Sequence, residues 1–125
     1  MRTAIYPGSF NPWHEGHQDV YDKASKLFDE IIILSPASGK VIDLDNFPKG
    51  YKYFYFKGLL VEAIERHNPD AIIRGLRNGY DLQYEMNQQY WNEDLGLTIP
   101  VVYFITDRKL SHISSSAIRE LKKHK

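Results

Sequence analysis

The chain has no cysteine among its 125 residues, which excludes disulfides and thiolate metal sites and permits a reducing compartment. It has no charge excess. Sixteen basic residues balance sixteen acidic ones, so it lacks the basic surplus of a protein held to nucleic acid through phosphates. No apolar run approaches the ~20 residues of a membrane-spanning helix. Met1-Arg2 leads directly into an apolar run, which leaves no room for a secretory signal. The expected setting is cytoplasmic, with neither nucleic acid nor membrane as partner. Several motifs are also lacking. There is no Gly-rich loop ending in Gly-Lys-Ser/Thr and no Gly-x-Ser-x-Gly elbow. No carboxylate–histidine cluster has metal-ligand spacing.

What is present fits one globular domain over residues 1–125, with 42% hydrophobic content and enough length for a real core. Residues 3–6 read as a first strand. Residues 16–28 read as a helix with Val20, Ala24, Leu27 and Phe28 on one stripe. The run Ile31-Ile32-Ile33-Leu34 within 30–34 fits a strand buried on both faces of a parallel sheet. Residues 51–56 are strand-like by propensity, and 59–68 look helical, stopped by Pro69. Residues 71–74 form another buried strand. A long helix is expected over 81–95, with Leu82, Met86 and Tyr90 roughly aligned and Gly96 to end it. Residues 100–105 make the last strand, and a final helix starts near Ser114. Strands alternating with helices predict an α/β, Rossmann-like, doubly wound five-stranded parallel sheet with helices on both faces. Residues 35–50 carry no helical stripe where a crossover helix is usual.

Three segments carry candidate chemistry. Gly8-Ser9-Phe10-Asn11-Pro12 leads from the first strand into His14-x-Gly16-His17 at a helix start. Free N–H groups and the helix dipole attract anions there, and imidazoles can donate to phosphate oxygens. Arg74-Gly75-Leu76-Arg77 sits at the carboxyl edge of a strand, where open α/β sheets bind ligands. Its two arginines, flanking a glycine turn, could clamp phosphates bidentately. Ser114-Ser115-Ser116 opens a helix after the last strand, a second anion site. Glu85 could accept hydrogen bonds from a ribose or adenine, or pair with an arginine. Lys40 is a cation that could close on phosphates, though a lone lysine is more often plain surface. The aromatics at 51–56 read as strand and core rather than as base-stacking platforms.

Together these segments resemble the bacterial phosphopantetheine adenylyltransferase family, within the HxGH nucleotidyltransferase superfamily. The residues that carry the resemblance are 4–12, His14-x-Gly-His17, Ile73-Arg74-Gly75-Leu76-Arg77, Asp81-x-x-Tyr84-Glu85-Met86 and Ile113-Ser114-Ser115-Ser116. His-x-Gly-His specifies only the superfamily; the arginine and Tyr-Glu-Met elements are more specific. The resemblance implies adenylyl transfer from ATP to 4′-phosphopantetheine, giving dephospho-coenzyme A and pyrophosphate in coenzyme A biosynthesis. It implies His17, Lys40 and Arg77 as catalytic groups, with magnesium (Mg2+) carried by ATP. It also implies ATP contacts at Ser9, Phe10, His14, His17, Gly75, Leu76, Arg77, Glu85, Leu110, Ser111, His112, Ile113, Ser114, Ser115 and Ser116. Acceptor contacts are implied at Ser9, Lys40, Leu60, Arg74 and Asn92, and a homo-oligomer is expected, a hexamer in the family. Ser9 and Asn11 replace the family's usual Thr and Asp, and the chain is a shortened member. Two other readings stand beside this one. The first is the same chemistry on another acceptor, as in nicotinamide mononucleotide adenylyltransferases or small cytidylyltransferases. The second is a non-catalytic nucleotide-binding protein of the same fold.

Overall fold

A computed structural model describes residues 1–10, 13–37, 50–77 and 79–107. Five strands form one sheet: β1 (Thr3–Pro7), β2 (Glu30–Pro36), β3 (Lys52–Phe56), β4 (Ala71–Leu76) and β5 (Val101–Ile105). Three helices are interleaved with them: α1 (Glu15–Ser25), α2 (Leu60–His67) and α3 (Gly79–Asp94). The strand order is β3-β2-β1-β4-β5 and every pairing is parallel. This is the doubly wound sheet expected from the alternating pattern.

The continuous apolar strands make sense because both faces of the sheet are covered. Successive residues point to opposite sides. Ala4, Tyr6, Ile31, Ile33 and Ile73 pack with Val20 and Ala24 of α1. Ile5, Ile32, Leu34 and Ile72 pack with Val61, Ala63 and Ile64 of α2. Ile5, Ile33, Leu34 and Ile73 are fully buried, and each such side chain contributes about 1.5–3 kcal/mol of transfer free energy. The chain runs outward from β1 to β2 and β3, then returns to β4 on the other side of β1. The carboxyl ends of β1 and β4 therefore border the switch point, the place where such sheets bind ligands.

One expectation needs correction. β4 continues past Arg74, because Gly75 pairs with Phe104 and Leu76 with Ile105. Arg74 and Gly75 thus lie in a strand, not around a glycine turn. Gly75 serves close approach instead: a Cβ there would sit 2.8 Å from Val20 Cγ2, where α1 crosses β4. A second point concerns how α3 is seated: Leu82, Met86 and Tyr90 share a stripe as expected, and at 44%, 41% and 56% exposed that stripe faces away from the core. The helix is planted by its C-terminus. Gly96 takes φ +95° and donates to Glu93 O, Leu97 N donates to Asn92 O, and Leu97 is buried. This is the left-handed cap expected of Gly96, with its accompanying apolar contact. The final helix and most of the 35–50 stretch lie outside the described residues.

Candidate active site

The site starts where β1 ends. Gly8 N donates to Leu34 O, and the buried Ser35 hydroxyl donates back to Gly8 O. Two bonds thus hold the exit of β1 against β2. Phe10 then takes φ +48°, a left-handed conformation that costs a side-chain-bearing residue about 1–3 kcal/mol. Burial of the ring offsets that strain by a comparable amount. Phe10 is 2% exposed and lies edge-on to Tyr6 at 4.9 Å and to His17 at 4.9 Å. It is therefore a packed wall of the cleft.

His14 and His17 form the N-terminal cap of α1. His14 Nδ1 accepts from Gly16 N at 3.0 Å, and His17 Nδ1 accepts from His14 N at 3.2 Å. The pair reproduces the reciprocal geometry of a capping box. Their rings stack at 3.8 Å. Gly16 is required here, since a Cβ would lie 2.9 Å from His14 Cε1. The backbone N–H groups of His14 and Gly16 are consequently engaged by imidazoles, which corrects the picture of a wholly free helix start. With both Nδ1 atoms accepting, the hydrogen-bond pattern assigns each ring proton to Nε2. Burial, then the Arg77 charge, lowers the His14 pKa to about 4. Burial, then His14 and Arg77, lowers that of His17 to about 3. At neutral pH both are uncharged N–H donors on the cleft wall.

The two arginines have carboxylate partners. Arg74 makes a bidentate pair with Glu85, at 2.9 Å from Nε to Oε2 and 2.6 Å from Nη2 to Oε1. Its Nη1 donates to Pro7 O at 2.9 Å. Burial opposes the Arg74 charge, but the Glu85 hydrogen bonds and charge outweigh it and raise the pKa. Arg77 binds Asp81 through Nε at 3.0 Å and Nη2 at 3.2 Å, and its backbone N–H donates to the same carboxylate at 2.8 Å. So Arg74 is a strut joining β4, α3 and the end of β1, not a free phosphate clamp. Of the two roles open to Glu85, pairing with an arginine is the one the structure displays. Arg77, with 35% of its side chain exposed, holds the more exchangeable pair.

Two cavities meet here. The larger, about 480 Å³, is lined by Ser9, Phe10, His14, His17, Gly75, Arg77 and Glu85 among others. The smaller, about 210 Å³, is lined by Leu60, Arg74 and Asn92 together with residues of α3 and β5. Pro7, Arg74, Tyr84 and Glu85 border both. The residues expected at the nucleotide and those expected at the acceptor thus fall largely into separate, adjoining spaces. Ser9, expected in both groups, borders the larger only. Leu76 lines neither; its carbonyl accepts from the N–H and the hydroxyl of Thr106, joining β4 to the exit of β5. Lys40 and Leu110, Ser111, His112, Ile113, Ser114, Ser115 and Ser116 lie outside the described residues. Sequence reasoning missed Thr106, Tyr103, Gln88 and Gln89 as lining groups. The helical spacing of Glu85 with Gln88, Gln89 and Asn92 was the available signal for the last two.

A family model described as Cytidylyltransferase-like matches residues 5–48. The phosphopantetheine adenylyltransferase of Clostridium novyi is 36% identical over 97% of this chain and 83% of its own length. That of Caldanaerobacter subterraneus is 34% identical over 97% and 84%, and that of Francisella tularensis subsp. novicida 36% over 98% and 84%. Among solved structures, the lipopolysaccharide core biosynthesis protein of Thermoplasma volcanium superposes with a TM-score of 0.58 at 21% identity, over 86% of this chain and 98% of that one. That likeness speaks to the fold. The identity shared with the curated relatives across nearly the whole chain establishes more: the chain belongs to the phosphopantetheine adenylyltransferase family.

Proposed function

We propose that this protein transfers the adenylyl group of ATP to 4′-phosphopantetheine, releasing pyrophosphate and forming dephospho-coenzyme A. The observation that carries the reading is the pair of adjoining cavities that meet at Pro7, Arg74, Tyr84 and Glu85. ATP occupies the larger, with its phosphates against the imidazole-capped start of α1. The acceptor occupies the smaller, with its phosphate at the shared wall. A phosphomonoester has its second pKa near ~6, so it is already an anionic nucleophile at neutral pH and needs no general base. Its oxygen attacks the α-phosphorus in line, a new P–O bond forms, and the bond to the bridging oxygen breaks as pyrophosphate leaves. Positioning and charge stabilisation dominate such chemistry.

His17 supplies a neutral Nε2–H to an equatorial oxygen, where negative charge grows in the transition state. A neutral donor suits this task because it does not hold the ground-state triphosphate by full charge. Arg77 reaches the phosphates by exchanging Asp81, while Lys40 and the serines at 114–116 complete the cradle in this proposal. Magnesium fits as an ion carried by ATP. The cleft carboxylates Asp81 and Glu85 are held by Arg77 and Arg74, and no cluster of three potential ligands occurs among the described residues. The outward apolar stripe of α3 supports a homo-oligomer, and a cytoplasmic location goes with this reading.

Pyrophosphate release with ATP, Mg2+ and a panel of acceptors tests the proposal. Turnover is expected with 4′-phosphopantetheine. Release with nicotinamide mononucleotide alone, or with CTP in place of ATP, overturns it; ATP binding without any turnover indicates a binding protein. In His17→Ala, kcat should fall by at least about 100-fold while ATP affinity changes little.

A further inference from the structure

Helix α3 is inverted. Glu85, Gln88, Gln89 and Asn92 recur at the spacing of one helical face, and all of them border the smaller cavity. Leu82, Met86 and Tyr90 occupy another face and are exposed. An ordinary surface helix turns its apolar stripe inward and its polar face to water. This one turns the buried Glu85 and the half-buried Gln89 and Asn92 toward the protein, with Gln88 exposed at the rim of the cavity. Glu85 has its partner in Arg74. The side-chain amides of Gln88 and Gln89 make no hydrogen bond to any other described residue. Across the cavity stand Leu60, Ile64 and Val101. The space is therefore apolar on one wall and bordered on the other by carboxamide groups that no other described residue engages.

We propose that Gln88 and Gln89 are specificity-determining residues that read backbone-like amide groups in the acceptor's tail. The acceptor class is a phosphate ester whose alkyl chain is interrupted by amides. The phosphate sits at the Arg74 end, methylene groups lie along Leu60, Ile64 and Val101, and amide N–H and C=O groups pair with Gln88 and Gln89. A carboxamide suits this because it donates and accepts at once, so it pairs with an amide in either orientation. An acceptor without amides leaves both glutamines facing the ligand unpaired, the situation that gives polar pockets their discrimination. This inference rests on the acceptor assignment made above and adds the residues that select the tail.

The test compares 4′-phosphopantetheine with butyl phosphate, which offers the phosphate and no amide. Both are assayed with ATP and Mg2+ in the wild type, Gln88→Leu, Gln89→Leu and the double variant. Loss of a neutral hydrogen bond corresponds to roughly a two- to tenfold change in affinity. Each single variant should raise the KM for 4′-phosphopantetheine by that factor, with kcat and the KM for ATP nearly unchanged. The wild-type preference for 4′-phosphopantetheine over butyl phosphate should fall at least about fourfold in the double variant. An unchanged KM in all variants, or an equal loss for both acceptors, overturns the inference while leaving the adenylyltransferase reading intact. A wild type that turns over no phosphopantetheine overturns that reading itself. A thermal melt of each variant separates misfolding from altered recognition, and Gln89→Asn, which keeps a shorter amide, should retain part of the preference.

Discussion

The capping histidines make stability at acidic pH depend on His17. In the unfolded chain a histidine titrates near 6.5, whereas burial holds His17 at about 3 in the folded protein. Below pH 6.5 the unfolded state binds a proton that the folded state refuses. Folding stability is therefore fully present above pH 6.5 and falls with pH until about 3, where the folded ring also protonates. Between pH 7 and pH 5 this one group removes about 2 kcal/mol, from a limiting slope of ~1.4 kcal/mol per pH unit. His14 is only partly buried, and its pKa of about 4 reflects burial and then Arg77. Solvent screening discounts its share to about 1 kcal/mol. Urea denaturation at pH 7 and pH 5 measures the sum, with the buried Trp13 as fluorescence probe. His17→Gln removes the titrating group while its amide oxygen can still accept from His14 N. The loss from pH 7 to pH 5 should shrink by about 2 kcal/mol in this variant. Groups away from the cap cancel in the comparison, and running it in a His14→Gln background removes the ring stacked on His17; equal losses in the two proteins would then refute a neutral, buried His17. They would also remove the reason for treating it as an uncharged donor to phosphate.

Three further outcomes are expected. Gly75→Ala should destabilise by about 1–3 kcal/mol by overpacking against Val20, and Val20→Ala in the same chain should recover part of that loss; strictly additive unfolding energies would count against the contact. Glu85→Ala should cost about 2 kcal/mol by leaving Arg74 unpaired, less than the ~3–5 kcal/mol of a fully buried pair because Arg74 is 29% exposed; a change under about 0.5 kcal/mol in urea denaturation would contradict the strut role. In sedimentation, the wild type should run above monomer mass and the triple variant Leu82→Glu, Met86→Glu, Tyr90→Glu should shift toward monomer, since the exposed stripe of α3 is what an oligomer would cover; a monomeric wild type would refute that.

The sheet was legible because its strands are short, continuous and rich in β-branched or aromatic residues, and because α2 and α3 carry stop signals in Pro69 and Gly96. Pro69 and Gly96 act as the sequence suggests, with Asn68 and Gly96 both at positive φ. The cleft residues were legible as a set, since His14, His17, Gly75 and Arg77 do line one cavity. What the sequence hid was pairing. Whether Arg74 clamps a phosphate or a carboxylate depends on where Glu85 falls, eleven positions on and across a helix–strand contact. The end of β4 was misplaced for a related reason. A glycine reads as a turn until the neighbouring strand is known to pair with it, and Gly75 is held in the sheet by Phe104.

Helix α3 shows the same limit more sharply. Periodicity identifies which residues share a face, but the space opposite decides which face turns inward. For α1 and α2 that space is filled by the sheet, so the apolar stripe wins and Val20, Ala24, Val61 and Ile64 turn inward, although α1 ends at Ser25 and Leu27, expected on its stripe, is 54% exposed. Opposite α3 lies a cavity bordered by Arg74 and Tyr103, whose charge and hydroxyl favour polar neighbours. Pointing Leu82, Met86 and Tyr90 there would leave Arg74 without its Glu85 partner and set apolar side chains against the guanidinium. A helix that turns a buried glutamate inward beside a cavity is held there by its own ion pair. The face that α3 turns inward is thus set by the Arg74–Glu85 pair and the cavity beside it rather than by its apolar stripe.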